Sequence, residues 1–176
     1  MQGGTTTIWK HWLAEHGPRL LVFARSWSSC REDAEDLVQE AVLRLWNLQS
    51  RHDHSPPDLP LAFSTIRFCG LNHYRSDTRR KKREESIIYL NDHEDVWLDT
   101  AAEDDEEALL LRNALESLSD KLREVVVMKV WGGLTFAGIS EALAISQNTA
   151  ASRYRYALEQ LSRELRKLKE GRRASS

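Results

Sequence analysis

The sequence predicts an all-α fold: two small helical domains, residues 1–83 and 108–176, joined by a flexible acidic linker over 84–107. Three observations carry that prediction. Apolar residues recur at helical spacing in both halves. Charge is segregated: residues 1–83 hold 13 Lys and Arg against 9 Asp and Glu, residues 84–107 hold none against 11, and residues 108–176 hold 12 against 7. Segment charges of +4, −11 and +5 thus lie behind a net charge of only −2, and two mildly basic bodies flank a strongly acidic connector. Finally, Leu134–Leu161 reads as two helices joined by a very tight turn.

From Trp9 to about Ser29, the positions of Trp12, Leu13, Leu20, Leu21, Phe23, Ala24 and Trp27 predict two short helices. The break is expected near Gly17-Pro18, with the proline early in the second helix.

Arg31–Gln49 follows as a helix whose core stripe is Leu37, Ala41, Leu45 and Leu48, with Val38 and Val42 beside it. The opposite face carries Glu35, Asp36, Gln39, Leu43, Trp46 and Asn47. Leu and Trp among carboxylates suit a surface that docks on a protein with a basic rim. On the residues alone, cover by another helix of the same domain is the better explanation of Leu43 and Trp46.

The prolines of Arg51–Pro60 mark a loop. A helix is expected from about Leu61 to Asp77, with Phe63, Ile66, Phe68, Leu71 and Tyr74 among its apolar and aromatic residues. It runs into Arg79, Arg80, Lys81, Lys82 and Arg83. Rings beside cations suit melted nucleic acid, because bases stack while phosphates are neutralised. A helix end with a solvated basic tail accounts for the same residues.

In the linker, Ile87, Ile88, Tyr89, Val96, Trp97 and Leu98 form apolar islands in an acidic segment that reaches at most about 80 Å when extended. The second body opens at Leu109–Leu115. Ser119 is a candidate N-cap for a helix over Asp120–Trp131, which Gly132-Gly133 ends.

In Leu134–Leu161, Thr135 is placed to cap a first helix carrying Phe136, Ile139, Ala142 and Leu143. Ser146 is placed to cap a second, whose stripe is Ala150, Tyr154, Ala157, Leu158, Leu161, Leu165 and Leu168. The face opposite that stripe holds Asn148, Ser152, Arg155 and Glu159, flanked by Gln147, Ala151 and Arg153. Asn and Gln pair bidentately with adenine and Arg with guanine, and small residues permit close approach to a major groove. Any amphipathic helical hairpin also has a polar outer face, so spacing alone leaves both readings open.

Several classes are disfavoured. No apolar run approaches the roughly 20 residues of a membrane span and the N-terminus lacks a signal-peptide core, so a cytoplasmic protein is expected. Cys30 and Cys69 are too far apart for a CxxC motif and read as buried or spare thiols. The absence of HExxH, GxSxG, P-loop and GxGxxG patterns argues against an enzyme, and no metal or cofactor is expected.

Set end to end, these pieces resemble the extracytoplasmic-function sigma factors of bacterial RNA polymerase. The resemblance is strongest in Asp33-Ala34-Glu35-Asp36-Leu37-Val38-Gln39-Glu40 with Leu43-Arg44-Leu45-Trp46, similar to the region-two helix that binds the β′ clamp helices. It implies a polymerase contact at Asp33, Glu35, Asp36, Gln39, Glu40, Leu43 and Trp46, against the simpler reading above. Leu118–Leu161 is similar to region four, which reads the minus-thirty-five element and rests on the β flap. That likeness implies minus-thirty-five contacts from Gln147, Asn148, Thr149, Ala151, Ser152, Arg153 and Arg155. Ala151 stands where a basic residue is common, and Ala137-Gly138 replaces a frequently acidic pair.

Leu61–Arg83 takes the place of the helix and loop that recognise and melt the minus-ten element. Phe63, Asn72, His73, Tyr74, Arg75, Arg79 and Arg80 are the implied contacts there, although the family's Asn-containing centre appears as Phe68-Cys69-Gly70-Leu71-Asn72-His73. Core RNA polymerase and promoter DNA are the implied partners, and the family allows for an anti-sigma factor. A dimeric helix-turn-helix regulator binding operators, with residues 1–83 as sensor, explains Leu134–Leu161 equally well. It leaves the DAEDLVQE helix and the basic aromatic helix unexplained. A pure interaction protein that sequesters a partner would have no use for the Asn148–Arg155 face.

Overall fold

Three helices make up the first half of the chain: α1 (Gln2–Arg25), α2 (Arg31–Gln49) and α3 (Leu59–Arg83). Four follow in the second: α4 (Glu106–Glu116), α5 (Asp120–Val130), α6 (Phe136–Leu143) and α7 (Gln147–Ser175). This computed structural model describes residues 2–28, 30–52, 54–83 and 106–175, and the expected linker lies outside them except for Glu106 and Glu107. The chain divides into two units between Val96 and Trp97.

In the first unit α1, α2 and α3 pack pairwise around Leu20, Phe23, Leu37, Leu45, Phe63 and Ile66, all buried. The Phe23 and Phe63 rings meet edge to face at 5.1 Å, fixing α1 against α3. The expected break at Gly17-Pro18 is absent: α1 is one helix with Pro18 inside it. An interior proline costs about 3 kcal/mol. Here buried Trp9 precedes it while buried Leu20, Phe23 and Ala24 follow, so packing anchors both halves of one helix and outweighs the local penalty. Cys30 caps α2, its Sγ accepting from the Asp33 N–H at 3.4 Å. Asp58 caps α3 through Leu61 N–H at 2.9 Å. α3 then runs on through the basic run to Arg83, beyond the end expected near Asp77.

The second unit is built on Ala114, Leu115, Leu118, Val126, Ala157 and Leu161, with Leu111, Leu122, Trp131, Tyr154 and Leu165 packed around them. Arg123 closes the end of α4: its guanidinium donates to the carbonyls of Leu115, Glu116 and Leu118 at 3.1, 3.0 and 2.9 Å. The Leu115 and Glu116 carbonyls are at the end of α4 and the Leu118 carbonyl is in the connection after it, and all three are satisfied by a residue of α5. Gly133 adopts φ 67°, and Gly132 and Leu134 return hydrogen bonds to Val127 and Met128 carbonyls, which ends α5 where the glycine pair predicts. α4 begins at Glu106, within the segment expected to be linker.

Candidate functional site

The tight turn of the second unit is made by three side chains. Thr135 Oγ1 accepts from Gly138 N–H at 3.1 Å and starts α6. Ala144 ends it in the left-handed conformation, φ 52° and ψ 46°, and Ser140 Oγ donates to the Ile145 carbonyl. Ser146 Oγ then accepts from Thr149 N–H at 3.0 Å and starts α7. Both caps fall where the sequence puts them. Phe136 packs edge to face on Tyr154 at 5.7 Å, locking the two helices together.

On the first two turns of α7, Gln147, Asn148 and Arg155 are exposed, while Ala151, Ser152 and Arg153 are half-buried. The Arg155 guanidinium lies 5.3 Å from the Tyr156 ring centroid. The Thr149 hydroxyl is 2.8 Å from Ser146 Oγ and belongs to the cap.

α2 buries Ala34, Leu37, Ala41 and Leu45 and leaves Asp33, Asp36, Gln39 and Leu43 exposed, Leu43 at 64%. Glu35, half-buried, pairs with Arg31 at 2.8 Å. Trp46 differs from Leu43: it is half-buried, edge-on to Trp9 at 5.1 Å. The Trp9 indole in turn donates to the His54 carbonyl at 2.9 Å. Cover by a helix of the same unit therefore holds for Trp46 and fails for Leu43.

On α3 the expected contacts separate. Phe63 is fully buried against Phe23, so as a contact to DNA it is corrected to a core residue: its spacing with Ile66 puts it on the inward stripe. Asn72 is half-buried; His73, Tyr74 and Arg75 are exposed. Arg79 and Arg80 continue the helix. Phe68, one turn before Asn72, is 52% exposed with the Arg44 guanidinium 5.5 Å from its ring centroid. The sequence places Phe68 among the aromatic residues of the helix and at the start of the Phe68–His73 centre, but not among the expected contacts. Its register with Asn72, Arg75 and Arg79 was the available signal.

A carboxylate joins the two helices. Glu40 Oε1 accepts from Arg44 Nε and Nη2 at 3.0 and 2.9 Å, and Glu40 Oε2 lies 2.7 Å from His73 Nε2. Partial burial pushes the Glu40 carboxyl up, but the bonds from Arg44 and His73 and the charges behind them prevail and hold it below the ordinary value. Cys69, buried on α3, has its thiol pushed up to about 11 by burial, with the Glu40 charge adding to it. Among the described residues no group of three or more His, Cys, Asp or Glu could hold a metal ion. No helix there is long and apolar enough to cross a membrane.

Two family models match these two units: Sigma-70 region 2 over residues 12–80, and Sigma-70 region 4 over residues 108–161. An ECF RNA polymerase sigma factor of Caulobacter vibrioides, SigF, is 33% identical over 165 residues, covering 93% of this chain and 89% of that protein. The chain belongs to the ECF sigma factors. SigK of Mycobacterium ulcerans is 30% identical over 132 residues, covering 73% of this chain and 70% of its own. The fold matches that of RpoE from Bartonella quintana, solved with the anti-sigma factor NepR, at a TM-score of 0.74 and 23% identity over 90% of this chain and 96% of that one. This sigma factor therefore serves promoter-specific transcription with RNA polymerase; its region 2 match lies within α1–α3 and its region 4 match within α4–α7.

Proposed function

We propose that this sigma factor docks on core polymerase through the outer face of α2, reads the minus-thirty-five element with α7 and holds unpaired minus-ten bases on α3. The observation that carries it is the uncovered stripe Asp36, Gln39 and Leu43 on a helix whose other face is core. An exposed leucine amid carboxylates matches an apolar patch with a basic rim, as the β′ clamp helices would offer. Asp33, Glu35 and Glu40 border that stripe, and Trp46 supports it from the side of α1. The partition follows: 1–83 for core and minus-ten binding, 84–107 as an acidic connector through the polymerase channels, and 108–176 for minus-thirty-five binding and the β flap.

In region 4, exposed Gln147, Asn148 and Arg155 are the base readers, Ala151 and Ser152 permit close approach, and Arg153 meets phosphate. Thr149 shapes the start of the helix. In region 2, Asn72, His73 and Tyr74 face bases while Arg75, Arg79 and Arg80 meet phosphates; Phe63 has no part in it. Melting draws on binding free energy, without catalysis or nucleotide hydrolysis. The work is cytoplasmic. An anti-sigma factor is a further partner, as the Bartonella quintana relative was solved with one.

The test is in vitro transcription with core enzyme followed by mapping of start sites. Start sites that depend on the added protein and share upstream elements are expected. Specific operator binding with no retention on core polymerase would overturn the proposal in favour of a free-standing regulator.

A further inference from the structure

Glu40 lies on the helix assigned to polymerase, yet one of its two oxygens is taken by a residue of the helix assigned to DNA. Its other oxygen holds Arg44, whose guanidinium is 5.5 Å from the Phe68 ring on that same second helix. The side chains of Glu40 and His73 are 33% and 52% exposed. A pair this open contributes little to stability. What it does fix is direction. An exposed histidine is free to sample several staggered rotamers, and a 2.7 Å bond to a carboxylate that Arg44 already anchors selects one of them. With Nε2 turned to Glu40, Nδ1 is the ring nitrogen left to meet a base edge.

We propose that Glu40 is a positioning residue for minus-ten recognition: it orients His73 on α3 toward an unpaired promoter base, so one carboxylate serves both the polymerase-facing and the DNA-facing helix. This rests on the assignment of α3 to the minus-ten element. Neither residue type nor spacing exposes the link, because the two positions are 33 residues apart and meet only in the folded unit.

The experiment uses the full chain in holoenzyme with core polymerase at saturation. Its probes are fork-junction promoters, taken from a mapped start site, that carry each of the four bases at every single-stranded minus-ten position. His73→Ala is expected to flatten base preference at one position at least about fivefold, the lower end for one base-edge contact. Glu40→Ala should flatten the same position to a similar extent, and the double variant no further. Glu40→Gln keeps an acceptor for the imidazole and should recover part of the preference. Core affinity is measured separately, so a loss of docking is not mistaken for a loss of reading.

If Glu40→Ala weakens core binding but leaves base preference intact, or if the effects of the two single variants add, the inference is overturned. Should Glu40→Ala lose its helical fold, His73→Ala and Glu40→Gln carry the same comparison. A wild-type holoenzyme indifferent to minus-ten bases would instead overturn the assignment of α3. Wild-type discrimination that survives His73→Ala would sink this inference alone.

Discussion

Gly70 of α3 lies directly against the Trp27 indole: a Cβ at position 70 would come within 2.7 Å of Trp27 Cγ and 2.8 Å of its Cβ. Those atoms sit close to the backbone and yield only if the segment after α1 moves. Gly→Ala inside a helix ordinarily gains about 1 kcal/mol. Here overpacking reverses the sign, and Gly70→Ala is expected to destabilise region 2 by about 1–3 kcal/mol. Denaturant unfolding checks it; a gain in stability would mean that Trp27 gives way freely.

The turn between α6 and α7 yields a pair of predictions of opposite sign. Ser146→Ala removes the acceptor for Thr149 N–H and should cost region 4 about 1 kcal/mol. Ala144→Gly relieves a left-handed alanine and should stabilise region 4 by up to about 1 kcal/mol. Thermal unfolding of the two variants, read side by side, separates cap from turn.

The starts of α6 and α7 are legible in the sequence because capping is local chemistry: Thr135 and Ser146 lie beside the N–H groups they accept from. The α2 stripe is legible for the same reason at Leu37, Ala41 and Leu45, while Leu48, expected with them, lies exposed in the last turn of the helix. What periodicity does not reveal is which neighbour covers an aromatic ring. Phe63 and Phe68 are equally apolar and lie five positions apart, yet one faces Phe23 and the other faces outward beneath Arg44. The continuity of α1 through Pro18 is hidden likewise, because its cause is packing on both sides of the proline.

Arg155 is exposed on the outer face of α7. Arg155→Ala is expected to weaken promoter binding and relax base choice at one minus-thirty-five position by about 1–3 kcal/mol. Binding measured on promoters varied at each position is the check. An equal loss on every sequence would reduce Arg155 to a phosphate contact.

Asp36→Arg combined with Gln39→Ala places a cation on the proposed docking stripe while leaving buried Leu37 and Ala41 untouched. Retention on immobilised core polymerase should be abolished, with helix content unchanged by circular dichroism. Normal holoenzyme formation by this variant would rule out the α2 face.

Acid should act on region 2 through Glu40. Its carboxyl titrates below the ordinary value of 4.5, so the ionised form contributes a small increment of stability that is fully present above 4.5. That contribution is lost as the pH falls through the lowered folded-state value. The stability difference between wild type and Glu40→Gln should therefore hold steady near neutrality and shrink on the acid side. A difference that does not change with pH would show that the Arg44 and His73 contacts do not depend on the charge.

α7 is a single uninterrupted helix of 29 residues, about 43 Å long, and the residues proposed to read the minus-thirty-five element lie in its first turns. A rod of that length is a lever. Because Ala157 and Leu161 hold it in the core, a tilt of about 10° about those first turns carries the whole unit and swings the far tip by about 8 Å. A partner gripping the distal turns would steer region 4 as a body without covering Gln147, Asn148 or Arg155.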